Sequence, residues 1–273
     1  MDTPAPWHGR TKICGKTKEI REFRLTPHFV FLQMRLVVSW GHLALLLLGL
    51  GLALILRWRG DPEDYLAFHQ ALEVLLPLVA GFFFVPLILR EKEQHTLPLI
   101  GVTQCAVPFL FVVRVGITIL YMAIFIGGIA LVARIPGSYA PSPGSLLAHQ
   151  MALDREVWPT GFLGGPYGLP AMLLSHGAPV LFLAGLGLAS AHLAADARVG
   201  YVVMFSVWMF NRAAGRTLSA HPLWRYVYLF VRFEEGGGLW LAPKLVQLAL
   251  GIGLLVLSWL LLFRLEHFLR KGE

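Results

Sequence analysis

Residues 91–103 read EKEQHTLPLIGVT, a charged, threonine-bearing segment between two apolar runs, about Ala71–Leu89 and Pro108–Ala133. A helix that crosses a bilayer needs roughly 20 largely apolar residues at about 1.5 Å rise each, and both flanks meet that length. The segment is therefore read as the connection between two membrane spans. Composition extends the reading to the whole chain. Of its residues 56% are apolar and 14% charged, and the mean hydropathy is +0.66, outside the balance of a soluble domain.

Further apolar runs lie at about Val37–Leu56, Ala171–Ala195, Val199–Phe210 and Pro243–Phe263. The run from Val199 is short unless it extends into Asn211–Leu218. The expectation is an all-α polytopic membrane protein with about six transmembrane helices. Residues 1–36 form a cytoplasmic N-terminal segment, 37–265 the transmembrane domain and 266–273 a cytoplasmic tail.

The N-terminal segment is too polar and too long for the charged region of a signal peptide. It carries Arg10, Lys12, Lys16, Lys18, Arg21, Arg24 and Arg35, and positive residues next to a first span stay in the cytoplasm. Six spans return the C-terminus to that side, where Arg264, Arg270 and Lys271 follow the last run. The expected location is the inner (cytoplasmic) cell membrane, with both termini cytoplasmic. From Lys16 to Arg35, basic residues alternate with Ile20, Phe23, Leu25, Phe29 and Phe31, a pattern for a helix lying in the headgroup layer. Pro27 breaks or kinks it. The net charge of +7 is assigned to topology and anionic lipid heads rather than to nucleic acid. Cys14 and Cys105 are distant in sequence, both on the expected cytoplasmic side, and form neither a disulfide nor a metal signature.

Within the charged connection, Glu91 and Glu93 suit a helix N-terminus. Thr96 caps a short helix carrying Leu97, Leu99 and Ile100, and Pro98 fits its first turn. Such a helix has one apolar side to dock, on its own bundle or in a partner's groove. Charge alone would also fix topology there, but topology does not require Thr96, Leu97 and Thr103 at these spacings.

The segment resembles the charged cytoplasmic motif of type-2 ABC exporter permeases, the membrane subunits that work with separate ATPase subunits. Glu91, Lys92, Glu93, Thr96, Leu97, Leu99 and Thr103 fall on the family pattern without gaps, and Arg114 takes the place of its basic residue at the next span. Departures are His95 where glycine is usual, Pro98 within the short helix, and Gln104 where proline would follow Thr103. The resemblance implies an N-terminal interfacial helix, a cytoplasmic coupling helix between spans two and three, and a re-entrant hairpin between spans five and six, over Pro222–Trp240. It also implies that those eight residues couple the subunit to an ABC ATPase, and that a second permease copy or a related permease completes the assembly. ATP and magnesium belong to the partner subunit. The chain has no phosphate-binding G-x-x-x-x-G-K-[ST] loop, no H-E-x-x-H pair and no G-x-S-x-G elbow of its own, so it is expected to bind no cofactor and to be no enzyme.

Other polar residues are read more plainly. Glu73, Arg35, Arg114 and Asp196 lie near expected span ends and act as anchors. His69 with Glu73, and His192 with Asp196, are four apart and share a helix face, but two ligands do not make a metal site. His176 beside Gly177 and Pro179 is either a buried, hydrogen-bonded histidine or the mark of a helix interruption facing an internal pathway. Gly81, Gly116, Gly127, Gly128, Gly185, Gly187, Ala189 and Ala191 indicate close helix packing. The contrasting function is a stand-alone membrane protein, such as a secondary transporter or a membrane-embedded lipid enzyme. No internal repeat supports the first, and no convergent polar group in the sequence supports the second.

Overall fold

The structure is a computed structural model that describes residues 33, 34, 37, 40–59, 62–87, 106–134, 169–230 and 241–263. Among these residues every regular element is helical. They are α1 (Trp40–Arg59), α2 (Pro62–Phe84), α3 (Ala106–Arg134), α4 (Leu169–Ala194), α5 (Ala197–Ala213), the short α6 (Gly215–Ala220), a single 3-10 turn (Trp224–Tyr226) and α7 (Leu241–Phe263).

Four helices contain stretches long and apolar enough to cross a membrane: Ala67–Phe84, Phe109–Val132, Leu169–Ala194 and Leu241–Leu262. In α1 the apolar stretch is shorter, Gly41–Leu56. The 17 residues of α5 span about 25 Å, just under the hydrocarbon thickness. The outward faces are apolar. Leu48 is 73% exposed and Val202 64% exposed, with Leu47, Phe210, Ile252 and Leu260 on the same kind of surface. Side chains of this type spread around a whole bundle indicate contact with lipid rather than with water.

The runs read from the sequence correspond to these helices, with one shifted start. α2 begins at Pro62, nine residues before Ala71. Proline suits the first helical position, where its missing N–H has no partner to lose, and Glu63 and Asp64 follow in the turn that favours carboxylates. Charged residues lower the local hydropathy without stopping the helix. Pro77 and Pro179 are each carried inside a continuous helix, so the interruption considered at His176 does not occur.

α4 is the hub, packing against α7, α2, α5 and α3. Half of its residues or more are buried, among them Leu183, Ala184, Leu188 and Ala191. Glycine makes the tightest approach possible. A Cβ on Gly251 of α7 would sit 2.7 Å from the Leu181 carbonyl carbon and the Phe182 nitrogen of α4, and one on Gly185 would sit 3.0 Å from the Gly251 oxygen. Gly187 and Gly200 meet in the same way between α4 and α5, and Gly81 receives Met204. The small-residue reading thus holds at Gly81, Gly185 and Gly187, whereas Gly116 faces open space.

α4 passes to α5 through a two-residue turn. The Asp196 N–H donates to the Ala191 carbonyl and the Ala195 N–H to that of His192, with Ala195 at φ 57°. This is the left-handed helix end in which two orphan carbonyls are satisfied. Asp196 then caps α5, its carboxylate accepting from the Arg198 N–H at 2.8 Å. The turn corrects the pairing of His192 with Asp196. The helix stops between them, leaving His192 buried and Asp196 exposed.

Candidate functional site

The interior polar groups lie toward two ends of the bundle. The end where α4 and α7 begin is termed upper, and the opposite end, where α2 and α4 finish, lower. At the lower end Arg114, two turns into α3 and only 6% exposed, joins three parts of the chain. Its Nε donates to Gln33 Oε1 at 3.0 Å and its Nη1 to the Leu87 carbonyl at 2.6 Å. Thr118 Oγ1 donates to the Arg114 carbonyl at 2.9 Å. Charge-assisted bonds of this kind are about twice as strong as neutral ones. They tie the segment before α1 and the end of α2 to the start of α3. Arg114 is therefore an internal clamp and not an anchor reaching for the membrane surface. The two residues bounding the connection, Leu87 and Ala106, are thereby held on a braced pair of helices.

The other residues expected to couple to an ATPase, Glu91, Lys92, Glu93, Thr96, Leu97, Leu99 and Thr103, lie outside the described residues. So do Cys14, Cys105 and the interfacial stretch from Lys16, apart from the helical Gln33 and Met34. Of the expected re-entrant hairpin, Pro222–Phe230 are described as turns around the 3-10 segment. Residues 231–240 are outside.

At the upper end three helices converge on a polar cluster. α2 contributes His69 and Glu73, α4 contributes Ser175 and His176, and α7 contributes Lys244 and Gln247. His69 with Glu73 and Lys244 with Gln247 are spaced to share a helix side, whereas Ser175 and His176 are consecutive. The Ser175 hydroxyl donates to Glu73 Oε1 at 2.6 Å, and the His69 and His176 rings lie nearly parallel with centroids 6.1 Å apart. Lys244, 1% exposed, is the buried cation of α7. Glu73 is half-buried and bonded across helices, so it too is more than a surface anchor.

The cluster is roofed by the chain that follows α5. Lys244 Nζ donates to the Leu229 carbonyl at 3.2 Å and Gln247 Nε2 to that of Tyr228 at 2.7 Å. Asn211 Oδ1 accepts from the Leu229 N–H at 3.0 Å while its Nδ2 donates to the Val207 carbonyl at 3.0 Å. Trp208 Nε1 donates to the Val74 carbonyl at 2.7 Å, closing the side next to Glu73. Both ring nitrogens of buried His176, and Oε1 of Gln247, have no hydrogen-bond partner among the described residues. Each such group costs about 1–3 kcal/mol, which a purely structural design would remove with an apolar side chain. The expected hydrogen bond of His176 is thus not found among the described residues. No group of three or more residues there is arranged to hold a metal ion.

Ser175, Lys244 and Gln247 escaped the sequence reading. The available signal was Lys244 and Gln247 themselves, a cation and an amide three residues apart inside an otherwise apolar run, which is costly in lipid and usually functional. No family model, no curated protein and no solved structure matches the chain.

Proposed function

We propose that the chain is the membrane-spanning permease subunit of an ATP-driven ABC transporter, working as an exporter with ATP hydrolysed in a separate subunit. The observation that carries the proposal is the Arg114 clamp. A helix lying on the cytoplasmic face can convert motion of an ATPase into helix rearrangement only if the helices it joins are mechanically connected. Arg114 makes that connection at both ends of the 88–105 segment, through Leu87 and through its own helix, and extends it to Gln33. Its position is also that of the basic residue in the motif resembled by Glu91–Thr103.

On this reading the lower end is cytoplasmic, and α1 to α5 and α7 are six spans that begin and end there. The chain from Pro222 to Trp240 is the re-entrant hairpin on the outer side, and a second permease copy or a related permease completes the pathway with two ATPase subunits below. Glu91, Lys92, Glu93, Thr96, Leu97, Leu99 and Thr103 meet the ATPase, and Arg114 passes the displacement on. The substrate class is set by pathway residues, not by the fold.

The test is the double variant Glu93→Ala, Thr96→Ala in the full chain. It is expected to insert at the wild-type level while ATPase activity associated with the purified protein falls at least tenfold. Undiminished associated activity would count against the coupling role.

A further inference from the structure

The chain that roofs the upper cluster carries a small apolar and cationic tip. Leu223 is 73% exposed and Trp224 55% exposed, and Arg225 beside them is exposed as well. Their depth in the bundle follows from α7. Its apolar stretch, Leu241–Leu262, spans about 33 Å, close to the hydrocarbon thickness, so Leu241 lies near the edge of the hydrocarbon. The 3-10 turn packs on α7, and the carbonyls of Leu229 and Tyr228 just after it are tied to Lys244 and Gln247, one to two turns inside that edge. Leu223 and Trp224 are thus displayed where headgroups meet acyl chains, the layer in which indole rings concentrate.

The turn is built for a place where water is scarce. His221 Nδ1 accepts from the Leu223 N–H at 3.2 Å and from the Trp224 N–H at 3.4 Å. The His221 N–H donates to the Leu218 carbonyl, the Arg225 N–H to that of His221, the Tyr226 N–H to that of Leu223 and the Val227 N–H to that of Trp224. Pro222 has no N–H to satisfy. Every backbone donor from His221 to Val227 therefore has an acceptor within the chain, which is what irregular backbone at the border of a bilayer requires.

Charge selects the lipid. Between Asp196 and Glu234 the sequence has no Asp or Glu, whereas Arg198, Arg212, Arg216, Arg225 and Arg232 all fall there. The Arg225 guanidinium lies 5.0 Å from the Tyr226 ring centroid, and its Nη2 donates to Tyr226 Oη at 3.1 Å. That contact orients the planar fork and uses one of its five donors. Arg212, in the last turn of α5, is exposed at the same end of the bundle. Guanidinium forks match phosphate oxygens in geometry and charge.

We propose that Leu223, Trp224 and Arg225, together with Arg212, form a binding surface for the headgroup of an anionic phospholipid. The two arginines take its phosphate, and Leu223 and Trp224 sit beneath it at the top of the acyl layer. Each cation near an anionic leaflet adds to the attraction, and the surface works without any ATPase partner.

The full chain in nanodiscs of mixed phosphatidylcholine and phosphatidylglycerol tests it by two readings. Lipid extracted with the protein after mild detergent washing is expected to be enriched in phosphatidylglycerol. The enrichment should fall by about fivefold or more in the double variant Arg212→Gln, Arg225→Gln and persist in Arg212→Lys, Arg225→Lys, which keeps the charge. The part of the tryptophan emission lost in Trp224→Phe is expected to be quenched more by lipids brominated near the headgroup end of the acyl chain than by lipids brominated near its methyl end. Equal enrichment in the Gln pair, loss of enrichment in the Lys pair, or no preference for phosphatidylglycerol in the wild type overturns the proposal. So does a Trp224 emission that neither brominated lipid quenches, since the tip would then stand in water.

Discussion

The two polar regions of the bundle solve opposite problems. At the lower end Arg114 is matched to an amide oxygen and a backbone carbonyl, so a costly buried cation becomes a strut between the segment before α1, the end of α2 and α3. At the upper end the struts surround the cluster, while its centre keeps unsatisfied atoms on His176 and Gln247. Satisfied polar groups rigidify; unsatisfied ones carry a free-energy cost. The difference separates a buried cation whose described bonds are made from buried polar atoms that have none among the described residues.

Substitutions can break that comparison. The largest stability loss is expected from Arg114→Ala, which removes two charge-assisted bonds. It should lower unfolding stability in detergent by about 3 kcal/mol, measured by thermal unfolding. Asn211→Ala should cost about 2 kcal/mol by leaving the buried Leu229 N–H without its acceptor. Limited proteolysis of the Gly215–Phe230 stretch should speed up with it. The smallest effect is expected in His176→Phe. A ring of similar size without orphan nitrogens should leave stability within about 0.5 kcal/mol of wild type or raise it. A large loss of stability in His176→Phe would erase the distinction between the two ends.

The helices were legible because lipid imposes a length and an apolar composition that survive in the sequence. The start of α2 was not, since Pro62, Glu63 and Asp64 read as a loop by hydropathy yet suit a helix's first turn. The same-face relation of His69 and Glu73 follows from spacing. Their meeting with Ser175, His176 and Lys244 does not, because it depends on which helices become neighbours and how each is rotated. That arrangement is set by close approaches such as Gly251 on Leu181 and Gly185 on Gly251, which the glycines announce without naming their partners. Arg114 was singled out by its place in the motif. Its bonds to Gln33 and Leu87 emerge only from the packed bundle.

The measurement that bears most directly on the account is purification of the full chain from its native membrane in mild detergent, with assay for ATP hydrolysis and identification of what accompanies it. The account predicts a soluble subunit with a phosphate-binding loop that hydrolyses ATP and is lost when residues 91–103 are altered. Reproducible isolation of the chain with no ATPase, from membranes in which neighbouring genes are expressed, would contradict it and leave a stand-alone membrane protein.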